Sequence, residues 1–383
     1  MPVFHLKGIV KQYDWGGFSL IPSLLKEPNS NNQPFAEYWM GTHPLGDAMV
    51  VTHDGQKPLS SLVDPLPYLF KVLDVKDMLS IQVHPSKEAA EKEFARENEA
   101  GIPVDSSQRN YKDDNHKPEL MVALSDFWLL HGFKPPEELV YTLLNVVELR
   151  EMLPIFNQSG YSGLYTHIMT LPQAEVNRIL QPLITNLDTI YKDNDPDKYD
   201  EDHWVQKAAK AFNRDGNIDR GIFSIYLFNL VHLKKGEGIF QAAGVPHAYL
   251  EGQNVEIMAN SDNVLRGGLT NKHIDVGELL KHVKCEATYP AIITGEALDA
   301  ITVHYKAPVN DFSLDRIELA VGKSIQFIAD TTTILLATEG AVIINKEINL
   351  GTGHPVAVVF PGTSYTITGA SEGSTIFRAS SPA

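Results

Sequence analysis

The chain has 383 residues, 43% apolar and 21% charged, the proportions of a soluble globular protein long enough to divide into two or three compact units. Its 32 basic and 48 acidic residues leave a net charge of -16, the wrong sign for loose attachment to nucleic acid or to an anionic membrane surface. The single Cys285 excludes an intramolecular disulfide framework and a thiolate-rich zinc cluster, so a metal would have to be held by nitrogen and oxygen.

In chain order, the polar start Met1-Pro2-Val3-Phe4-His5-Leu6-Lys7 lacks the apolar core of a signal peptide and no run is long enough for a membrane helix, which predicts a cytoplasmic protein. From Val3 to Val83, short apolar segments broken by Gly, Pro and Asn predict an antiparallel sandwich or barrel. Tyr68-Leu69-Phe70-Lys71-Val72-Leu73 reads as a buried strand. After it, Ser80-Ile81-Gln82-Val83-His84-Pro85 alternates polar and apolar residues, so Ser80, Gln82 and His84 share one face while Ile81 and Val83 pack behind. Taken alone, such a strand reads first as the hydrogen-bonded polar face of a sheet. Ser86 reads as the N-cap of a helix from Lys87 to Asn98, with Gly101 just past its end. The polar loop Asn110-Tyr111-Lys112-Asp113-Asp114-Asn115-His116-Lys117 then enters a strand at Pro118-Glu119, where a proline is tolerated and Glu119 is held rigidly.

Between Pro135 and about Arg220 the apolar period changes from two to between three and four. Leu139, Leu143, Val146, Val147 and Met152 form one stripe behind Pro135-Pro136-Glu137-Glu138, and Pro172 to Leu187 and His203 to Phe212 read as further helices around the acidic loop Asp193-Asn194-Asp195-Pro196-Asp197. Strand patterning resumes at Phe223 to Val231. Gly244-Val245-Pro246 sets His247 at the head of a strand, with Tyr249 on the same side, and Val255 to Ala259, carrying Glu256, reads as a separate strand. A short helix from Asp275 to Val283 follows, and beyond Tyr289 short strands and Gly turns predict a second β domain without clustered acids and histidines. The scattered His43, His131, His232, His273, His304 and His354 read as hydrogen-bonded or exposed rings rather than ligands.

Gln82, His84, Glu119 and His247 together offer two imidazoles, a carboxylate and an amide. That donor set suits a borderline divalent metal, and one without Cys that leaves room for water or substrate is typical of catalytic rather than structural zinc.

The segments Ser80 to Pro85, His116 to Glu119, Gly244 to Tyr249 and Asp262-Asn263-Val264-Leu265-Arg266-Gly267-Gly268 closely resemble the signature segments of type I mannose-6-phosphate isomerases, in order and separation. The likeness extends to Tyr13-Asp14-Trp15-Gly16-Gly17 and Glu37 to Pro44, and so over essentially the whole chain. It implies a mainly β protein with an α-helical insertion: a cupin-type jelly-roll catalytic domain over 1–134 and 221–290, an inserted helical domain over 135–220, and a second jelly roll over 291–383. It further implies one zinc ion per chain, on the four ligands that the donor chemistry selects, and interconversion of mannose 6-phosphate and fructose 6-phosphate through an enediolate.

A proton moved between C1 and C2 needs a base and an electrophile. Arg266 adds a fixed positive charge, and Lys117, Asp262 and His116 are the candidate acid and base groups. The matching phosphate positions are Ser80, Lys71 and Lys272, with Lys87 a further candidate, although each lysine is also readable as a solvated charge. Tyr249 and Glu256 are candidates for the pocket wall. The partner is thus a small hexose phosphate, the expected state a monomer. An iron-dependent cupin oxygenase would use the same two histidines and carboxylate, but Gln82 and the cations add nothing to dioxygen chemistry. A non-catalytic sugar-binding cupin would not need Lys117, Asp262 and Arg266, and all three are present.

Overall fold

The computed structural model describes residues 3–192 and 194–382, so Asp193 of the acidic loop and the first two and last residues lie outside it. The protein is mainly sheet, with most of its helical residues between 136 and 227. A nine-stranded and a ten-stranded sheet dominate, and a four-stranded sheet of residues 324–369 packs beside the first.

The centre of the nine-stranded sheet is buried on both faces, and its sequence shows why. In strand Thr333–Glu339, Ile334 and Leu336 enter the core shared with the ten-stranded sheet, while Leu335 and Ala337 enter the core shared with the four-stranded one. Strand Val356–Val359 divides likewise, Val356 and Val358 to one side and Ala357 and Val359 to the other. A strand covered on both faces reads as a continuous apolar run, not an alternation. Tyr68 in the ten-stranded sheet adds a polar tie, its buried hydroxyl donating to the carbonyls of Thr332 and Ala379.

Three local expectations are corrected. Residues 223–227 are helical: Gly221–Leu227 is a helix in which every residue is buried, and strand Phe228–Leu233 follows it. A short, uniformly apolar run carries no period, so strand and buried helix look alike. The stripe from Leu139 to Met152 is not one helix. Helix Pro136–Asn145 stops at Val146, whose ψ of 105° is extended, and a 3-10 segment Val147–Met152 leaves Val147 61% exposed. The third concerns Val255 to Ala259, which belongs to one strand, His247–Ala259. Helices Lys87–Glu99, Gln173–Ile190, Glu201–Phe212 and Val276–His282 lie where the spacing puts them, and Ser86 and Asp275 cap two of them through their side chains. Helix Leu153–Thr170, kinked at Gly160, has no counterpart in the sequence reading.

The first strand, Val3–Lys7, pairs with Val356–Val359, and the hairpin of Met49–Thr52 with Gly55–Pro58 extends the same nine-stranded sheet. That sheet therefore draws strands from both sides of residue 290.

Candidate metal centre and active site

The site grows from strand His247–Ala259, the spine of the ten-stranded sheet. Its first half pairs with Phe127–Phe133 and at His247 with Ile81–Val83; its second half lies between Tyr68–Val75 and Glu119–Ala123. An extra residue interrupts the register between Tyr249 and Glu251, opposite Leu129 and Trp128. Gly252 follows at φ +133°, where an added Cβ would lie 2.6 Å from the carbonyl oxygen of Asp126. This bulge reverses the facing of the strand. Tyr249 and Glu256, an odd number of residues apart, therefore share a face, and the Tyr249 hydroxyl donates to Glu256 Oε2 at 2.8 Å.

Ile81 and Val83 are fully buried behind Gln82, and His84 continues the segment. Gln82 stands directly between His247 and Arg266 on the neighbouring strands. Glu119, the first residue of its strand, points its carboxylate at both imidazoles: His84 Nε2 lies 3.2 Å from Oε1 and His247 Nε2 3.4 Å from Oε2. Each Nδ1–H is spent on a main-chain carbonyl, Asn263 O at 2.9 Å for His84 and Val245 O at 3.0 Å for His247. Those bonds select the tautomer with the lone pair on Nε2, the form that binds a metal. His84 is fully buried, its Nε2 has no hydrogen-bond partner, and burial, against the pull of Glu119, pushes its pKa down to about 4. A neutral imidazole with an orphaned, buried lone pair is what a resident cation would satisfy. Burial alone would raise Glu119, but the Lys117 ammonium at 3.0 Å holds it well below the usual carboxylate range.

Beside Glu119 and His247 opens a small cavity of about 50 Å³, whose charged lining is Glu37, Glu119 and Glu256 against Lys71 and Lys117. Such a space holds an ion with a few waters rather than a sugar, and three carboxylates facing two ammonium groups leave it deficient in positive charge. Lys71 is 6% exposed, 3.6 Å from both Glu37 Oε2 and Glu256 Oε1, and lies over the Trp39 ring. Burial would lower its pKa, yet the two carboxylates raise it above that of an ordinary lysine. Glu256 goes the other way, pushed up to about 7 by burial and then by the charge of Glu119.

The remaining candidates divide. Asp262 pairs with buried His43 at 3.3 Å; burial opposes its ionisation, but that imidazole, Lys117 and Lys71 keep its pKa below the usual value. Arg266 ion-pairs with no carboxylate among the described residues, its buried Nε has no partner, and burial depresses its pKa. Lys272 is exposed, its pKa lowered by partial burial and then by the charge of Arg266. Ser80 is half-buried one residue before its strand, and neither it nor His116 lines the cavity. His116 Nε2 lies 3.0 Å from Asp311 Oδ1, a residue of the C-terminal region. Lys87, exposed at a helix start, bonds to Asp114 O and Asn115 Oδ1, also away from the cavity.

Glu37, Trp39 and His43 were not read as site residues. The segment that carries them is visible in the sequence, but not that it lies beside Lys71 in the sheet. His131 sits opposite His247 with its Nδ1 2.8 Å from Gln241 Oε1, a hydrogen-bonded ring as expected.

Such a centre belongs among sheet-built metalloproteins, and comparison with known proteins narrows the class. Residues 3–136 match the model of the phosphomannose isomerase type I catalytic domain. The chain is 35% identical to the mannose-6-phosphate isomerase of Escherichia coli over 94% of its own length and 95% of the relative's. It is 34% identical to the human mannose-6-phosphate isomerase over 89% and 88% of the two chains. The crystal structure of Salmonella typhimurium mannose 6-phosphate isomerase with fructose 6-phosphate and zinc superposes with a TM-score of 0.86 at 31% identity, covering all of both chains. The chain belongs to the type I mannose-6-phosphate isomerase family.

Proposed function

We propose that this protein is a zinc-dependent aldose–ketose isomerase that interconverts mannose 6-phosphate and fructose 6-phosphate, with His84, Glu119, His247 and Gln82 holding one zinc ion. The observation that carries the reading is the orphaned Nε2 of buried His84, aimed with that of His247 at one ionised carboxylate. Bound there, zinc supplies Lewis-acid polarisation of substrate oxygen.

The rest is the work of the protein's own side chains. A proton must leave C2 of the open-chain aldose and arrive at C1, while negative charge builds on the two oxygens. Arg266, unpaired and half-dehydrated, stabilises that charge, because a fixed cation in a water-poor site loses nothing to reorganisation during the reaction. Lys117, 3.0 Å from Glu119, donates to an oxygen of the reacting pair. Asp262, kept ionised by His43, is assigned the acceptor role, with His116 on Asp311 the alternative. Glu256, its pKa raised by burial and by the charge of Glu119, and Tyr249 hold the sugar hydroxyls. The substrate extends out of the small cavity toward Arg266 and Lys272, which with Ser80 are assigned its phosphate; Lys71 is held among carboxylates and Lys87 is bonded to Asp114 and Asn115.

The domain ranges that accompany this reading are a catalytic cupin jelly roll over 1–134 and 221–290, a helical insertion over 135–220 and a second jelly roll over 291–383, with the first strand and the 49–58 hairpin shared into the last. A monomeric cytoplasmic enzyme is the corresponding expectation. The test is incubation with mannose 6-phosphate in deuterium oxide, followed by NMR. The reading predicts fructose 6-phosphate with deuterium entering at C1; no interconversion by the zinc-loaded protein defeats it.

A further inference from the structure

Asn263 lies between Asp262 and Arg266 and is fully buried. A buried amide has to place its donors and acceptor. Its Oδ1 accepts the backbone N–H of Lys112 at 2.7 Å, and its Nδ2 donates to the carbonyls of Asp113 and Asn115, both at 2.8 Å, and to Asp113 Oδ1 at 3.1 Å. Asp113 answers from the other loop: Oδ1 accepts the Ser261 hydroxyl at 2.7 Å, and Oδ2 accepts the backbone N–H of Asp262 at 2.8 Å. The main-chain carbonyl of Asn263 takes the Nδ1–H of His84 at 2.9 Å. One residue thereby joins the imidazole of His84, the chain at Asp262, and the loop that runs directly into Lys117 and Glu119.

We propose that Asn263, clasped by Asp113, is a positioning residue of the metal centre: it fixes the orientation and tautomer of His84 and holds the Lys117 loop in register with Asp262. The proposal rests on the reading of His84, Glu119 and His247 as zinc ligands. Asn263 is kept from the substrate by its burial and acts through its neighbours. The ordering matters because a ligand ring whose Nδ1–H partner drifts loses both aim and basicity at Nε2. A purely structural role would lower thermal stability while leaving zinc affinity and zinc-saturated turnover alone.

The test measures the zinc dissociation constant by chelator competition, the melting temperature of the metal-free protein, and kcat and KM at saturating zinc. The parent is compared with Asn263→Ala, Asp113→Asn and the double variant. Each single variant is expected to weaken zinc binding by about 10- to 100-fold and to lower kcat more than it raises KM. The double variant should be well short of the product of the singles, since both open the same joint. Folded single variants that bind zinc within about twofold of the parent overturn the proposal. Asp113→Asn, which keeps size and shape, carries the test if Asn263→Ala does not fold. A parent that binds no zinc overturns the metal reading itself, and the proposal with it.

Discussion

Two rows of buried charge cross the sheets of this protein, and they end differently. In the nine-stranded sheet, His304, Asp315 and Arg378 sit side by side on three neighbouring strands. The Asp315 carboxylate takes His304 Nδ1 at 2.8 Å and both Nε and Nη2 of Arg378, which in turn covers the Phe327 ring. None of the three leaves a buried atom unpartnered. In the ten-stranded sheet, Lys71 also lies between two carboxylates, yet His84 Nε2 and Arg266 Nε remain without partners and Glu256 is driven to about 7. In a closed ionic row every group is matched within the chain, and removing one partner is costly because it leaves the others buried and uncompensated. An open one, with donors and acceptors left over, is arranged for something that is not part of the chain.

The contrast can be broken at four points, from the largest effect to the smallest. Replacing a ligand in the open row should be the most damaging: Glu119→Gln is expected to weaken zinc binding by more than about 100-fold, above the range for outer contacts, read by chelator competition. Arg266→Ala should lower turnover by about 10²- to 10³-fold while zinc content stays at the parent value, because its task is charge stabilisation rather than ligation. In the closed row, Asp315→Asn should cost about 2–3 kcal/mol in denaturant unfolding and leave turnover of the folded enzyme unchanged. Its turnover falling like that of Arg266→Ala would mean the two rows do not differ in kind. The smallest effect is a pH dependence. His304 has its pKa raised by the Asp315 hydrogen bond against partial burial. Its contribution is therefore full below the unfolded-state value near 6.5 and is lost as pH rises through the higher folded value. The stability gap between the parent and His304→Gln should shrink by less than about 1 kcal/mol between pH 6 and 9; a gap that widens with pH has the sign wrong.

The donor set of the metal centre is legible in the sequence because its parts are local: a polar–apolar alternation at Gln82 and His84, a proline before Glu119, and a Gly-Val-Pro turn before His247. The contacts of the second layer are not. Lys71, Tyr249 and Glu256 are candidates from the sequence, but Glu37 joins Lys71 only through the pairing of strand Glu37–Met40 with Tyr68–Val75, and Asn263 joins the site through contacts with a loop about 150 residues earlier. Glu256 shows the limit most clearly. Counted by twos from His247 it falls on the wrong face, and only the bulge before Gly252, with no composition signal beyond one glycine, returns it to the pocket. The fold divides the same way: capped helices such as Lys87–Glu99 follow from their own residues, whereas helix Gly221–Leu227 is decided by what surrounds it, and the seat of Val3–Lys7 beside Val356–Val359 by pairing across nearly the full chain.

The account stands on the leftover valence of His84, Glu119 and His247 being filled by a catalytic zinc ion. The direct measurement strips the protein with a chelator, adds zinc in steps, and follows mannose 6-phosphate conversion and bound metal in the same samples. Activity rising in proportion to bound zinc and levelling at one ion per chain is the predicted result. Full turnover by the metal-free protein, or zinc binding at this site that restores none, would contradict it.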